Sequence, residues 1–193
     1  MPATVRIAVV YHSATGTTRQ LADEVIAGAT AQPGVEVSRI EITDADIIAG
    51  RYRNPEHLDA LDKADAIILG SPTYMGSVSA QFKAFADASS EKWSQKSWAD
   101  KLAAGFTIGL NLSGDQLHTL QYFQILASQH GMLWVNLDLP GEFNGESINR
   151  LGAQSGLIAQ SEDGRLHTVD LQTAAYLGSR VARTARRLQG ITQ

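Results

Sequence analysis

Apolar runs of strand length alternate along this chain with segments of helical spacing, and that order leaves few architectures open. Residues 5–11, VRIAVVY, form a β-branched and nearly continuous apolar run, as expected of a parallel strand covered on both faces. Val35 to Ile40, Ala64 to Leu69, Ala103 to Leu110 and Met132 to Leu137 read the same way. Between and after them lie helical patterns: Thr17 to Thr30, with Leu21, Val25 and Ala29 at four-residue spacing, then Ser79 to Ser89, Asp115 to His130 and Leu171 to Leu188. Parallel neighbours need crossover connections, and these are right-handed, so the order βαβαβαβαβα predicts a doubly wound parallel sheet with helices on both faces. Ligands bind such sheets outside the carboxyl ends of the strands, which makes the loops after each strand the place to look for function.

Length and composition narrow the chemistry. At 193 residues the chain is expected to form one domain, spanning 1–193. It contains no cysteine, which removes disulfides, thiol nucleophiles and thiolate-held metals from its own repertoire, so redox chemistry would need a borrowed cofactor. A formal charge of −4, from 16 basic against 20 acidic residues, gives no electrostatic footprint for nucleic acid. No apolar run approaches the ~18 residues of a membrane span, and residues 1–5 lead into the first strand without a secretory pattern. A cytoplasmic location without membrane insertion is expected. The five histidines, His12, His57, His118, His130 and His167, lack the close spacing of a metal site, and none is expected to bind metal.

The loop after the first strand reads His12-Ser13-Ala14-Thr15-Gly16-Thr17-Thr18. Four hydroxyl residues and a glycine stand where a strand hands over to a helix N-terminus, whose free amides and partial positive charge suit a phosphate. The plainer alternative is an N-cap and turn with no ligand. The loop has neither the GxxxxGK[ST] of a nucleotide-hydrolysing P-loop nor the GxGxxG of a dinucleotide fold. After the third strand, Pro72-Thr73-Tyr74-Met75-Gly76 combines a rigid residue, a permissive one and flat or polarisable side chains beside exposed amides. Such a loop can wall and edge an isoalloxazine ring, although a Pro-Thr-Tyr turn alone need be no more than a turn.

Together these segments carry a resemblance. Val9, Val10, Tyr11, Ser13, Gly16, Thr18, Ala22 and Val25 meet every position of the flavodoxin signature. The second loop with Ser79, Gln81 and Phe85, then Trp93, Lys101 to Ala103, Phe106 and Gln129 to Met132, resembles the WrbA-type NAD(P)H:quinone oxidoreductases of the flavodoxin-like superfamily, over about Val5 to Leu137. The resemblance implies a five-stranded sheet of order 2-1-3-4-5 and one FMN per chain. Its phosphate would lie on Ser13, Ala14, Thr15, Gly16, Thr17 and Thr18, and its ring on Pro72, Thr73, Tyr74, Met75 and Gly76. Ring-edge and ribityl contacts would come from Asn111, Ser113 and Gly114, in a loop that departs from the Gly-rich form of the family. Trp93 and His130 would border the substrate space, His130 from a neighbouring subunit of a homodimer or homotetramer. The alternative for His130 is a histidine at a helix C-terminus favoured by the dipole.

The activity so implied takes hydride from NADH or NADPH onto FMN and passes two electrons to a quinone or similar flat acceptor. A flavodoxin-type electron carrier is the second reading, and a flavin-loaded scaffold or sensor the third. Carriers dock through strongly acidic surfaces, which a charge of −4 does not supply. Two long stretches, Glu41 to Asp62 with a short helix from Pro55 and the Gly-rich Asp138 to His167, are expected as loops. In the second, the Arg-Gly-Gly-x-Pro-Tyr-Gly of the family is replaced by residues 150–156, RLGAQSG.

Overall fold

A computed structural model describes residues 4–141 and 148–190. In chain order the elements are β1 (Val5–His12), α1 (Thr17–Thr30), β2 (Val35–Ile42), β3 (Ile47–Ile48), β4 (Arg51–Tyr52), α2 (Pro55–Asp62), β5 (Ala66–Tyr74) and β6 (Ser77–Val78). They continue as α3 (Ala80–Ala88), α4 (Ser90–Ser94), β7 (Leu102–Gly109), α5 (Gln116–Gln129), β8 (Leu133–Trp134), β9 (Leu157–Glu162), β10 (Arg165–Leu166) and α6 (Thr168–Gln189). The main sheet runs β10-β9-β7-β5-β1-β2, and its β2, β1, β5, β7 and β9 are mutually parallel. This is the expected order 2-1-3-4-5, with one difference at the fifth position.

That position is shared by two segments. Leu133 and Trp134 pair with Leu102 and Ala103 at the start of β7, whereas Leu157 to Gln160 pair with Phe106 to Gly109 at its end. Residues 135–156 therefore interrupt the edge strand, and the stretch expected as a loop from Asp138 to His167 contains β9 and β10. The second expected loop, Glu41 to Asp62, contains the β3–β4 hairpin as well as α2, whose Pro55 takes the first helical position behind an Asn54 cap.

Alternation along the strands sorts side chains onto two cores. Val5, Ile7, Val9 and Tyr11 face α1 and α6. Ala8 and Val10 face the opposite layer with Phe82, Phe85 and Phe123 of α3 and α5. Helices α1 and α6 approach so closely that a Cβ on Gly28 would stand 1.8 Å from the Ala175 carbonyl oxygen, and one on Gly178 would stand 1.9 Å from that of Val25. The first and last helices thus lock together beneath the loop that follows β1.

Candidate functional site

The loops after β1, β5 and β7 converge at the carboxyl edge of the sheet. In the first, α1 begins at Gly16, whose φ of 88° is left-handed and which has no side chain to cap the helix. Ser13 Oγ accepts the Arg19 amide at 3.1 Å, which leaves its own hydroxyl hydrogen free to donate. Thr17 and Thr18 are buried, and the Thr15 and Thr17 hydroxyls lie 3.3 Å apart. Arg19, the one cation of this segment, does not serve the loop. Its Nε and Nη2 donate to Glu41, the shortest contact being 2.6 Å. Glu41 also accepts the Tyr11 hydroxyl, and Arg39 donates to Tyr11. The cradle therefore offers amides and hydroxyls without a cation.

The second loop is a hairpin rather than an irregular turn. Thr73 pairs with Val78 and Tyr74 with Ser77, so Met75 and Gly76 form a two-residue connection with φ of 48° and 78°. Positive φ at both positions makes it a type I′ turn, whose twist suits antiparallel strands. Met75 is fully exposed and Tyr74 partly so. Thr73 turns inward, where its hydroxyl lies 2.8 Å from both the Thr107 and the Thr119 hydroxyl. Ser71 Oγ accepts the Ser79 amide at 2.9 Å, and Ser79 caps α3 by accepting from Phe82. This loop is anchored from below, and it presents its tip and backbone outward.

In the third loop Asn111, Ser113 and Gly114 are all exposed. Two glutamine amides hold its carbonyls: Gln116 Nε2 donates to Asn111 at 2.9 Å and Gln160 Nε2 to Leu110 at 3.2 Å. His118 on the first turn of α5 reaches across to the second loop, with Nδ1 2.6 Å from the Gly76 carbonyl oxygen. In the sequence His118 stood out only among the five histidines weighed for metal, and the two glutamines did not stand out. The signal available for His118 was its place in the first turn of a helix that starts at the carboxyl edge.

Two buried polar atoms near this edge have no hydrogen-bond partner: His12 Nδ1, at the end of β1, and Gln116 Oε1, beneath the third loop. Burial lowers the His12 pKa, against the opposing pull of the Asp44 and Glu41 carboxylates. Unpaired buried polar groups cost free energy and point to a missing partner. A ligand with a phosphate at one end of the row of loops and ring N–H groups at the other matches this donor and acceptor set, and FMN has that form.

His130 is elsewhere. It follows α5 at the opposite edge, where Asp100 binds Gly131 and Leu133 opens the fifth strand beside Leu102. Its ring is 4% exposed, stacks at 4.3 Å on Trp98, and has Nε2 2.9 Å from Ser89 Oγ. Burial pulls its pKa down to about 4. The expectation that His130 borders the substrate space over a neighbouring subunit's flavin concerns an assembly; within its own chain the ring is buried against Trp98 and Ser89, at a distance from the three loops, with Nδ1 unpaired. Trp93 also lies at that far edge, on α4 beside Lys92, which bridges Asp59 and Asp62, but it is half-exposed. Arg150 is bound bidentately to buried Asp170 with two contacts of 2.8 Å, and Asp170 also accepts the backbone amide of Gln160, whose side chain holds the third loop. Among the described residues no group of three or more His, Asp or Glu could hold a metal ion, and no helix is long and apolar enough to cross a membrane.

Comparison with known proteins places this geometry among relatives. Flavodoxin FldP of Pseudomonas aeruginosa is 41% identical over 189 residues, covering 93% of this chain and 96% of that protein. An NAD(P)H dehydrogenase (quinone) of Archaeoglobus fulgidus is 34% identical, covering 95% and 98%. A crystal structure of a WrbA-like flavodoxin from Agrobacterium tumefaciens superimposes with a TM-score of 0.76 at 42% identity, over 95% of this chain and 99% of that one. Residues 5–139, which hold all three loops, match the family described as NADPH-dependent FMN reductase, and the chain belongs to that family.

Proposed function

We propose that the protein is an FMN-dependent NAD(P)H:quinone oxidoreductase, acting as a single FMN-binding domain. One observation carries this reading: the exposed Tyr74-Met75-Gly76 turn stands beside the open third loop at the carboxyl edge, so a ring seated there stays accessible to a second flat molecule. The names of the Archaeoglobus relative and of the family support it.

Bound FMN would supply hydride acceptance and release. The chain's residues bind, orient and polarise. Ser13 to Thr18 hold the phosphate through hydroxyl and amide donors, with helix α1 adding its positive end. Backbone amides at the tip of the second loop would hold the ring edge and stabilise negative charge there. Thr107 and Thr119 keep Thr73 turned inward, so the turn holds its shape while charge moves. Asn111, Ser113 and Gly114 meet the ribityl chain and ring edge.

The test is an anaerobic titration of the apoprotein with FMN, then NADH or NADPH, then 1,4-benzoquinone. The expected result is a yellow protein bleached by a nicotinamide and restored by the quinone. Bleaching by neither nucleotide, together with a long-lived semiquinone, would favour an electron carrier, the reading that the 41% identity to a flavodoxin supports. Homodimer or homotetramer formation belongs to this proposal, with half-exposed Trp93 as contact surface, and a sizing column tests it.

A further inference from the structure

His118 joins the second loop to a cleft on the other side of the third. The cleft, about 420 Å³, opens between the third loop, the first two turns of α5, and Leu151 and Ile158. Leu112, Leu117, Leu151 and Ile158 give it apolar walls, and Asp115 and His118 are among its polar lining. Leu112 and Leu117 are exposed, which is unusual for large apolar side chains clustered at one opening. The cleft adjoins the turn proposed for the flavin ring, because His118, which lines it, bonds the Gly76 carbonyl, and a Cβ placed on Gly76 would stand 3.7 Å from the Asp115 Cβ.

The imidazole of His118 has a fixed tautomer. A carbonyl oxygen can only accept, so the 2.6 Å contact with Gly76 requires Nδ1 to carry the hydrogen. In the neutral ring Nε2 then presents a lone pair and no proton. It makes no hydrogen bond among the described residues, and it belongs to a side chain that lines the cleft. Such a group accepts from a hydroxyl and gives nothing to a bare carbonyl oxygen.

We propose that this cleft is an acceptor subsite that reads the reduced form of its ligand: a flat aromatic body packs on the leucines and Ile158 while a phenolic O–H donates to His118 Nε2. A quinone gains that hydroxyl on reduction to the hydroquinone, when the reduced flavin gives up a hydride and solvent supplies the second proton, so the contact forms as the acceptor is converted. The subsite discriminates by oxidation state, because the same lone pair faces the oxygen of the unreduced quinone without a hydrogen between them. The inference rests on the oxidoreductase reading above for its place in turnover, though the binding itself does not require turnover.

The experiment uses redox-silent probes on the FMN-loaded protein. Calorimetry with 2-naphthol, a phenol that does not exchange electrons with the flavin, is expected to give saturable binding. Its methyl ether, 2-methoxynaphthalene, keeps the shape without the O–H and is expected to bind about tenfold more weakly, the upper end of what one net hydrogen bond contributes. His118→Ala should erase that difference, and Leu151→Arg should abolish binding of both. Equal affinity of the two probes for the wild type, or no saturable binding by either, would overturn the proposal. FMN content and bleaching by NADH or NADPH are read on the same sample. If bleaching fails while the naphthol discrimination holds, the oxidoreductase reading falls and the hydroxyl-reading cleft stands; the reverse pattern removes the cleft alone.

Discussion

Arg19 and Glu41 hold each other through three contacts, from Arg19 Nη2 at 2.6 Å and Nε at 3.0 and 3.1 Å. The pair turns the single cation of the first loop away from the space above α1. On the function proposed above, a phosphate bound there would be held by Ser13, the threonine hydroxyls and backbone amides, and this division of labour can be measured. Arg19→Gln is expected to change the FMN dissociation constant by no more than about threefold, the scale of an exposed ion pair. Ser13→Ala removes a donor to a charged oxygen and is expected to weaken FMN by about tenfold or more. Fluorescence titration of FMN checks both, and a larger loss from Arg19→Gln than from Ser13→Ala would refute the assignment.

Stability should depend on pH through His130. Its pKa in the folded protein is about 4 against an ordinary 6.5, so the unfolded chain binds the extra proton first. The associated stability is fully present above about pH 6.5 and is lost as pH falls toward 4, with a slope of about 1.4 kcal/mol per pH unit for one proton. His12, lowered by burial as well, adds a contribution of the same sign. His130→Gln should remove one proton's worth of slope from urea midpoints measured between pH 4.5 and 6.5 (a range of about two units), while His12 keeps the remainder. An unchanged slope in that variant would show that His130 is solvated.

Met75 holds a left-handed φ of 48° with its side chain in solvent. Non-glycine residues other than Asn and Asp pay about 1–2 kcal/mol for that region. Met75→Asn is therefore expected to stabilise the apoprotein by about 0.5–1 kcal/mol, and Met75→Val to destabilise it by a similar amount. Denaturant midpoints of the two variants, which flank the wild type if the type I′ turn is right, decide the matter.

Asp170 is buried and accepts Arg150 Nε and Nη2 at 2.8 Å each and the Gln160 amide at 3.0 Å. Arg150→Met leaves that carboxylate without its cation and is expected to cost about 3–5 kcal/mol. Arg150→Met with Asp170→Leu removes both charges and should recover much of the loss. Chemical denaturation of the single and double variants measures the coupling.

The parts of this fold that were plain in the sequence are those where local and long-range demands agree. Residues 5–11 are apolar on both faces apart from Arg6 because β1 is an inner strand, flanked by β2 and β5, and α1 spans Thr17–Thr30 as its spacing predicts. The place of the signature loop between strand and helix was legible because strand, turn and helix start all leave marks on it. The fifth strand did not. Its two pieces pair with β7 across an interruption of residues 135–156, and pairing across such a gap has no sequence period. Asp163-Gly164 was a readable hairpin signal in a region taken as loop, and with φ of 51° and 77° it joins β9 to β10 as Met75-Gly76 joins β5 to β6. The surroundings of His130 were not legible for a different reason: a histidine ending a helix looks the same in sequence whether it faces solvent or, as here, Trp98 and Ser89.

The glycine contacts between α1 and α6 also bear on when the site can form. Gly28 and Gly178 let the two helices meet at backbone distance, and α1 is the helix whose N-terminus is proposed to make the phosphate cradle. During synthesis β1 and α1 leave the ribosome early, but α6 follows after more than a hundred further residues. The nascent cradle thus stands on a helix with one flank bare, and its apolar stripe stays wet until α6 arrives. FMN capture on this account belongs to the last stage of folding, so a shortage of flavin would leave a finished scaffold awaiting its ligand rather than a chain stalled midway.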